Sequence, residues 1–434
     1  MSSYLLERAV VGDAVVDDVL VRIEDGRFTA VEPGGQDASA TRVPGLTLPG
    51  LANCHSHAFH RALRGRAQAK GDFWSWRQAM YSIAARLDPD SYFALARAVY
   101  REMVAAGITG VGEFHYLHHA PDGSPYADPN AMGAALIAAA REAGLRIGLL
   151  DTCYLSAGFG RPVEGAQVRY SDGDAVAWAE RVSALSGAPG VRIGAAVHSV
   201  RAVPADQLRT VVEAADGRPL HVHLSEQRAE NDDCVTAYGL TPTELLGEHG
   251  ALGPATTVVH ATHLTDGDVA RLGGARVHAC FCPTTERDLG DGIGPGRRLH
   301  DAGAVLTLGS DSHAVIDPFE EMRGLELDER LAAERRGHWS PAELLAAGTA
   351  HGSIGFPDAG RIAVGQRADL VTLDTGTVRT AGTGAGLETA VYAAAAADVR
   401  QVVVDGEVVF RHGDEAAIAA ELAAAIAEVE RMTR

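Results

Sequence analysis

Apolar and polar residues alternate with a period of two near the start of the chain, where VVDDVLVRIEDGRFTAVEPG sets Val19, Leu20, Val21 and Ile23 before a Glu24-Asp25-Gly26 turn. Such alternation marks half-buried strands, so residues 4–45 read as an antiparallel β unit. A matching pattern returns near the other end in GRIAVGQRADLVTLDTG and VRQVVVDGEVVFRHG. There Asp405-Gly406 supplies the positive φ angles of a two-residue hairpin. Residues 1–46 and 361–412 are expected to build one small β-sandwich domain from both chain ends.

Between these ends the pattern changes to apolar runs separated by alanine-rich segments of helical period, such as 90–106 and 130–143. Eight strand candidates stand out: TLPGLANCHSH, ITGVGEFHY, LRIGLLDTCYL, VRIGAAVHSV, LHVHLSEQ, TTVVHATH, ARVHACFCP and AVLTLGSDSH. Repeated βα units imply a parallel sheet, and eight close a TIM-like (β/α)8 barrel, expected over residues 47–360. The fold class is thus α/β. The segment 413–434 repeats Ile418, Leu422, Ile426 and Val429 at three- and four-residue spacing, which predicts an amphipathic helix packed on its own chain.

Polar chemistry gathers at the carboxyl ends of these strands, where barrel active sites lie. His55 and His57 end the first run two residues apart, so both imidazoles point to one side of the strand. The fifth run supplies His221, His223 and Glu226, the sixth His260 and His263, and the eighth Asp311 and His313. Three imidazoles and a carboxylate, with a position left for water, make a metal-dependent hydrolytic site. Such ligands suit Zn²⁺, and also Fe²⁺, Mn²⁺ and Ni²⁺.

Charge narrows the ligand. Thirty-eight Lys+Arg against fifty-seven Asp+Glu leave a formal charge of −19. That field repels a nucleic-acid backbone or an anionic membrane surface, so neither is expected as a partner. A small anionic substrate would need locally placed arginines. No GxGxxG or GxxxxGK[ST] follows a strand, so no nucleotide-phosphate cradle is expected. The start lacks a basic and apolar leader, and no long apolar run follows, so a cytoplasmic protein is expected. Five cysteines do not suggest a disulfide framework.

PGLANCHSHAFHRAL, HLSE, HATHL, LGSDSH and the return GRIAVGQRADLVTLD together resemble the amidohydrolase superfamily over nearly the whole chain. In its deaminase branch the resemblance selects His55, His57, His223 and Asp311 as metal ligands, with Glu226, His260 and Asp311 catalytic. His221 is then a deeper barrel residue, and His263 and His313 are loop residues. The fourth strand ends VHSVRAV and the only lysine is Lys70 in a polar loop, so no carboxylated lysine bridges two metals. One divalent metal, Zn²⁺ in this reading, is expected.

GDFWSWRQAMY, GEFHYLHH and HSVRAV resemble the formimidoylglutamate deiminase family more specifically. That resemblance implies hydrolysis of N-formimino-L-glutamate to N-formyl-L-glutamate and ammonia in histidine degradation, by a homodimer. It places Arg77, Arg201, Tyr116 and His198 at a small anionic amidine substrate, with the two arginines in loops. His60 joins them at a position where that family often carries glutamine. Trp74, Trp76 and Tyr81 are assigned no catalytic role, and Glu113 and Cys54 are expected to support the core. Two rivals remain: a deaminase of a nucleobase-type amidine, which would need stacking walls in place of the arginines, and a catalytically silent metal-binding barrel.

Overall fold

The computed structural model describes residues 2–68 and 73–432, apart from the side chains of 73–75. Lys70 and the Trp74 side chain therefore lie outside the described residues. Four strands open the chain: β1 (Ser2–Val11), β2 (Ala14–Glu24), β3 (Arg27–Pro33) and β4 (Thr41–Pro49). Then come β5 (Leu51–Ser56), β6 (Ile108–His115) and β7 (Arg146–Cys153). A short hairpin, β8 (Ser156–Gly158) with β9 (Arg161–Pro162), follows. Next are β10 (Val191–Val197), β11 (Leu220–Leu224), β12 (Thr256–His260), β13 (His278–Phe281) and β14 (Val305–Leu308). The last three are β15 (Leu370–Leu373), β16 (Val399–Val404) and β17 (Glu407–Arg411).

The strands of the chain ends form one seven-stranded sheet in the order β17-β16-β15-β4-β1-β2-β3. Its two halves meet where β15 runs antiparallel to β4, with Val371 opposite Leu48. Asp405 and Gly406, at φ 48° and 83°, turn β16 into β17, the left-handed pair that the Asp-Gly signal predicts.

Apart from the β8-β9 hairpin, the remaining strands are parallel, in the order β5-β6-β7-β10-β11-β12-β13-β14. β6 and β7 are buried at every position, as strands covered on both faces must be. Beyond β14 the ring closes on β5. The Ser310 and Asp311 N–H groups donate to the His55 carbonyl at 3.1 and 3.0 Å, and the His57 N–H donates to the Asp311 carbonyl at 3.3 Å. Only glycine fits at 309, because a Cβ there would lie 2.8 Å from the His55 carbonyl oxygen. The barrel closure thus brings the first and last polar motifs side by side.

The outer helices begin with α1 (Phe73–Ala84), α2 (Pro89–Ala105) and α3 (Ala131–Ala143). Asp88 caps α2 by accepting the Ser91 N–H, with proline in the first turn, and Gly144 ends α3 in the left-handed conformation. The helix Glu415–Arg431 buries Ile418, Leu422, Ile426 and Val429 and packs on α2, where Arg97 Nε donates to Glu421 at 2.7 Å. All five cysteines are buried and free, and burial pushes the Cys54 thiol up to about 12. No helix among the described residues is long and apolar enough to cross a membrane.

Candidate active site

Five non-glycine residues at one rim of the barrel have left-handed backbone: Ser225 (φ 52°), His260 (70°), Ala261 (47°), Asp311 (40°) and His313 (58°). Each such conformation costs about 1–3 kcal/mol, and strain gathered this way is a hallmark of functional sites. The rim is the carboxyl end of β11, β12 and β14, where the polar motifs sit.

His55, His57, His223 and Asp311 converge there, all buried. Asp311 Oδ1 lies 3.3 Å from Nε2 of both His55 and His57, and His55 Nε2 lies 3.1 Å from His223 Nε2. Four ligands at about 2.0–2.1 Å around a tetrahedral ion would stand roughly 3.3–3.4 Å apart, and these three spacings match that. The donor atoms of His55, His223, His260 and Asp311 all lie within 4.8 Å of one another, while His57 shares Asp311 with His60 in an adjoining group. The tautomers suit it as well. His57 Nδ1–H donates to the Phe114 carbonyl at 2.9 Å and His223 Nδ1–H to the His198 carbonyl at 2.8 Å, which turns both Nε2 lone pairs inward. Burial keeps the imidazoles neutral, pushing His57 down to about 3 and His223 well below its usual range. Burial would raise the Asp311 carboxyl, but the hydrogen bond from His55 and the surrounding imidazoles outweigh it and hold Asp311 ionised.

His260 differs from these imidazoles. Burial again opposes its charge, but Glu226, Glu286 and Asp311 surround it and raise its proton affinity well above normal. Its Nε2 stands 3.8 Å from Asp311 Oδ2, while its Nδ1 faces Glu286 at 3.3 Å. A protonated imidazole is a hydrogen-bond donor rather than a ligand. Glu286, which begins the helix Pro283–Leu289 in its first turn and also accepts the Cys282 N–H at 2.9 Å, escaped the sequence reading.

Glu113 now has a place: its carboxylate accepts the Ser56 hydroxyl and the Ala58 N–H, both at 2.7 Å, and so fixes the backbone between the two β5 histidines. Burial pushes it up to about 7. His313 lies in a loop, as expected, yet is fully buried and bonded to the same Ser56 hydroxyl at 3.0 Å. His221 faces the opposite end of the barrel, 2.9 Å from the Ser353 carbonyl.

Above the floor of Asp311, His57, His223, Glu226 and His260 opens a cavity lined by His60, Arg77, Tyr116, His198 and Arg201. All the residues expected at substrate therefore meet in one chamber. His60 Nε2 and the Tyr116 hydroxyl are bonded at 2.9 Å. Arg77 lies on α1 rather than in a loop, because Met80, Ile83 and Ala84 bury one face of that helix and Trp76 and Tyr81 pack against the same core; its Nε donates to the Tyr81 hydroxyl at 2.5 Å. Arg201 does follow a strand, in the turn after β10, with Nη2 3.6 Å from Glu226 and Nε 3.4 Å from Glu230. Trp76 and Tyr81, given no role from the sequence, line the chamber, and so do Tyr154 and Tyr170. Tyr154 was findable, since it directly follows the β7 carboxyl end; Tyr170 lies on a distant connection with no local signal.

The model of the amidohydrolase family matches residues 46–409. The chain belongs to the amidohydrolase family. It is 37% identical to the formimidoylglutamate deiminase of Pseudomonas aeruginosa over 96% of each chain. It is 29% identical to the 5-methylthioadenosine/S-adenosylhomocysteine deaminase of Natronomonas pharaonis, over 90% of this chain and 88% of that one. The crystal structure of an amidohydrolase from Brucella melitensis superposes with a TM-score of 0.91 at 32% identity, covering 99% of this chain and 100% of that one. This amidohydrolase is a hydrolase acting on carbon–nitrogen bonds, and the silent-barrel alternative falls away.

Proposed function

We propose that this amidohydrolase hydrolyses N-formimino-L-glutamate to N-formyl-L-glutamate and ammonia, as a cytoplasmic step of histidine degradation. The observation that carries the reading is the pairing of two arginines, Arg77 and Arg201, with a carboxylate floor in one cavity. The substrate is a cation at its formimino end and a dianion at the other. Guanidiniums bind carboxylates through charge-assisted pairs, and Glu226 and Asp311 face the amidinium end. Such a wall also answers the repulsion that a net charge of −19 would otherwise impose.

His55, His57, His223 and Asp311 would hold one Zn²⁺, whose chemistry is to acidify a water so that it attacks the formimino carbon. Asp311 takes the proton of that water. Glu226 passes a proton to the terminal nitrogen, the carbon–nitrogen bond breaks, and ammonia leaves while the carbonyl of the formyl product forms. His260, held protonated between carboxylates, donates a hydrogen bond to the developing oxyanion. Tyr116, His198 and His60 offer hydrogen bonds along the substrate between floor and arginines.

A second reading draws on Trp76, Tyr81, Tyr116, Tyr154 and Tyr170, which give the chamber stacking surfaces suited to a nucleobase-type amidine. The experiment that separates the two is ammonia release from N-formimino-L-glutamate, guanine and adenosine by zinc-loaded enzyme. Release from the first alone is expected; release from a nucleobase but not from the diacid would replace this reading.

A further inference from the structure

We propose that Glu230 is a positioning residue that ties the guanidinium of Arg201 to the turn carrying Glu226, and so couples recognition of a substrate carboxylate to the catalytic floor. This rests on the reading of Arg201 as a carboxylate receptor given above.

Glu230 lies one helical turn past Glu226, in the first turn of the helix Arg228–Tyr238, and is 3% exposed. Its two oxygens do different things. Oε1 accepts the N–H of Ser225 at 3.0 Å, and Ser225 is the left-handed residue (φ 52°) between His223 and Glu226. Oε2 faces Arg201 Nε at 3.4 Å. The same Nε donates to Ser199 Oγ at 3.2 Å, so that side of the guanidinium is turned to Ser199 and Glu230. Nη2, at the other end, approaches Glu226 at 3.6 Å beside the cavity.

A buried carboxylate is an expensive way to satisfy one backbone N–H, because its charge must be compensated. A glutamine could accept the Ser225 N–H equally well. What it could not do is hold a guanidinium by charge. Arg201 stands between two carboxylates, and the pull of Glu230 on Nε holds its terminal edge back from a closer pair with Glu226, so that it can turn to substrate. With that pull gone, Arg201 collapses onto Glu226, its remaining charged neighbour, and is lost as a receptor.

Glu230→Gln keeps the turn acceptor and removes the charge. With N-formimino-L-glutamate it is expected to raise KM about tenfold while zinc content stays at the wild-type value and kcat changes less than KM. In an Arg201→Ala background the same substitution is expected to leave KM unaltered, since it acts through Arg201. Glu230→Asp, which retains the charge one methylene short, should fall between wild type and Gln, and serves in place of Gln if that variant does not fold. A wild-type KM in the Gln variant, or an undiminished effect in the Arg201→Ala background, overturns the proposal. A wild-type enzyme inactive on N-formimino-L-glutamate overturns the underlying reading instead, before any variant is compared.

Discussion

His115, His118 and Asp151, at or just past the ends of β6 and β7, stand close enough to hold a cation, as do His55, His223, His260 and Asp311 in the same barrel. Both clusters are buried. They differ in what already claims their donors. Asp151 accepts Trp178 Nε1–H at 3.0 Å and two Arg181 N–H groups at 2.9 and 3.0 Å, and His118 Nε2–H donates to the Thr152 carbonyl at 2.9 Å. Arg181 also bonds Asp172 at 2.8 Å, so a fixed cation sits where an ion would have to go. Around Asp311 no arginine among the described residues intervenes, and His57 and His223 spend their Nδ1–H groups on the Phe114 and His198 carbonyls, which leaves their Nε2 lone pairs facing inward. Proximity of histidines and a carboxylate is therefore not enough; a site needs donors whose outer bonds orient them and whose inner atoms are unclaimed.

The largest effect is expected at the floor. Glu226→Gln should lower kcat by about 10³-fold with metal content unchanged, because an amide cannot carry a proton, and a steady-state ammonia assay reads it. If that variant kept near-wild-type turnover, the open cluster would lose its proton carrier and the comparison its functional side. Next comes Asp151→Ala, which takes from buried Arg181 one of its two carboxylates, leaves it only Asp172, and should cost about 1–3 kcal/mol in denaturant unfolding while folded enzyme keeps its kcat. Third, Arg201→Ala should raise KM for the diacid about 10- to 100-fold, the worth of a charge-assisted carboxylate contact.

The smallest effect is a pH dependence. Burial would raise the Asp151 carboxyl, but Arg181 outweighs it and holds it below its ordinary value. A carboxyl held low in the fold contributes stability above its unfolded value of about 3.9 and loses it as pH falls further through the folded value. Wild-type protein should therefore lose stability below about pH 4 more steeply than Asp151→Asn, as thermal melts across that range would record.

The barrel and the gathering of polar residues at its rim were legible because they rest on local rules. The two-residue period puts His55 and His57 on one face, and the carboxyl-end rule gathers the polar residues of the fifth, sixth and eighth runs; the choice of His223, His260 and Asp311 among them rested on the family resemblance. What the sequence concealed depends on chain-distant packing. Arg77 reads as a loop residue until α1 is seen docked through Tyr81 and Gln167, whose amide donates to the Tyr81 hydroxyl at 3.1 Å. Glu286 and Glu230 act on His260 and Arg201 across gaps of 26 and 29 residues in sequence, and no periodicity encodes those distances. His313 is a loop residue as expected, but its burial depends on the seam that Gly309 permits, which no local pattern shows.

The most direct test of the distinction is metal content after stripping and reloading with zinc, measured for wild type, Asp311→Asn and Asp151→Asn alongside ammonia release. Wild type is expected to bind one ion per chain with full activity, folded Asp151→Asn to retain both ion and activity, and Asp311→Asn to lose both. An ion kept by Asp311→Asn but lost from Asp151→Asn would contradict the distinction.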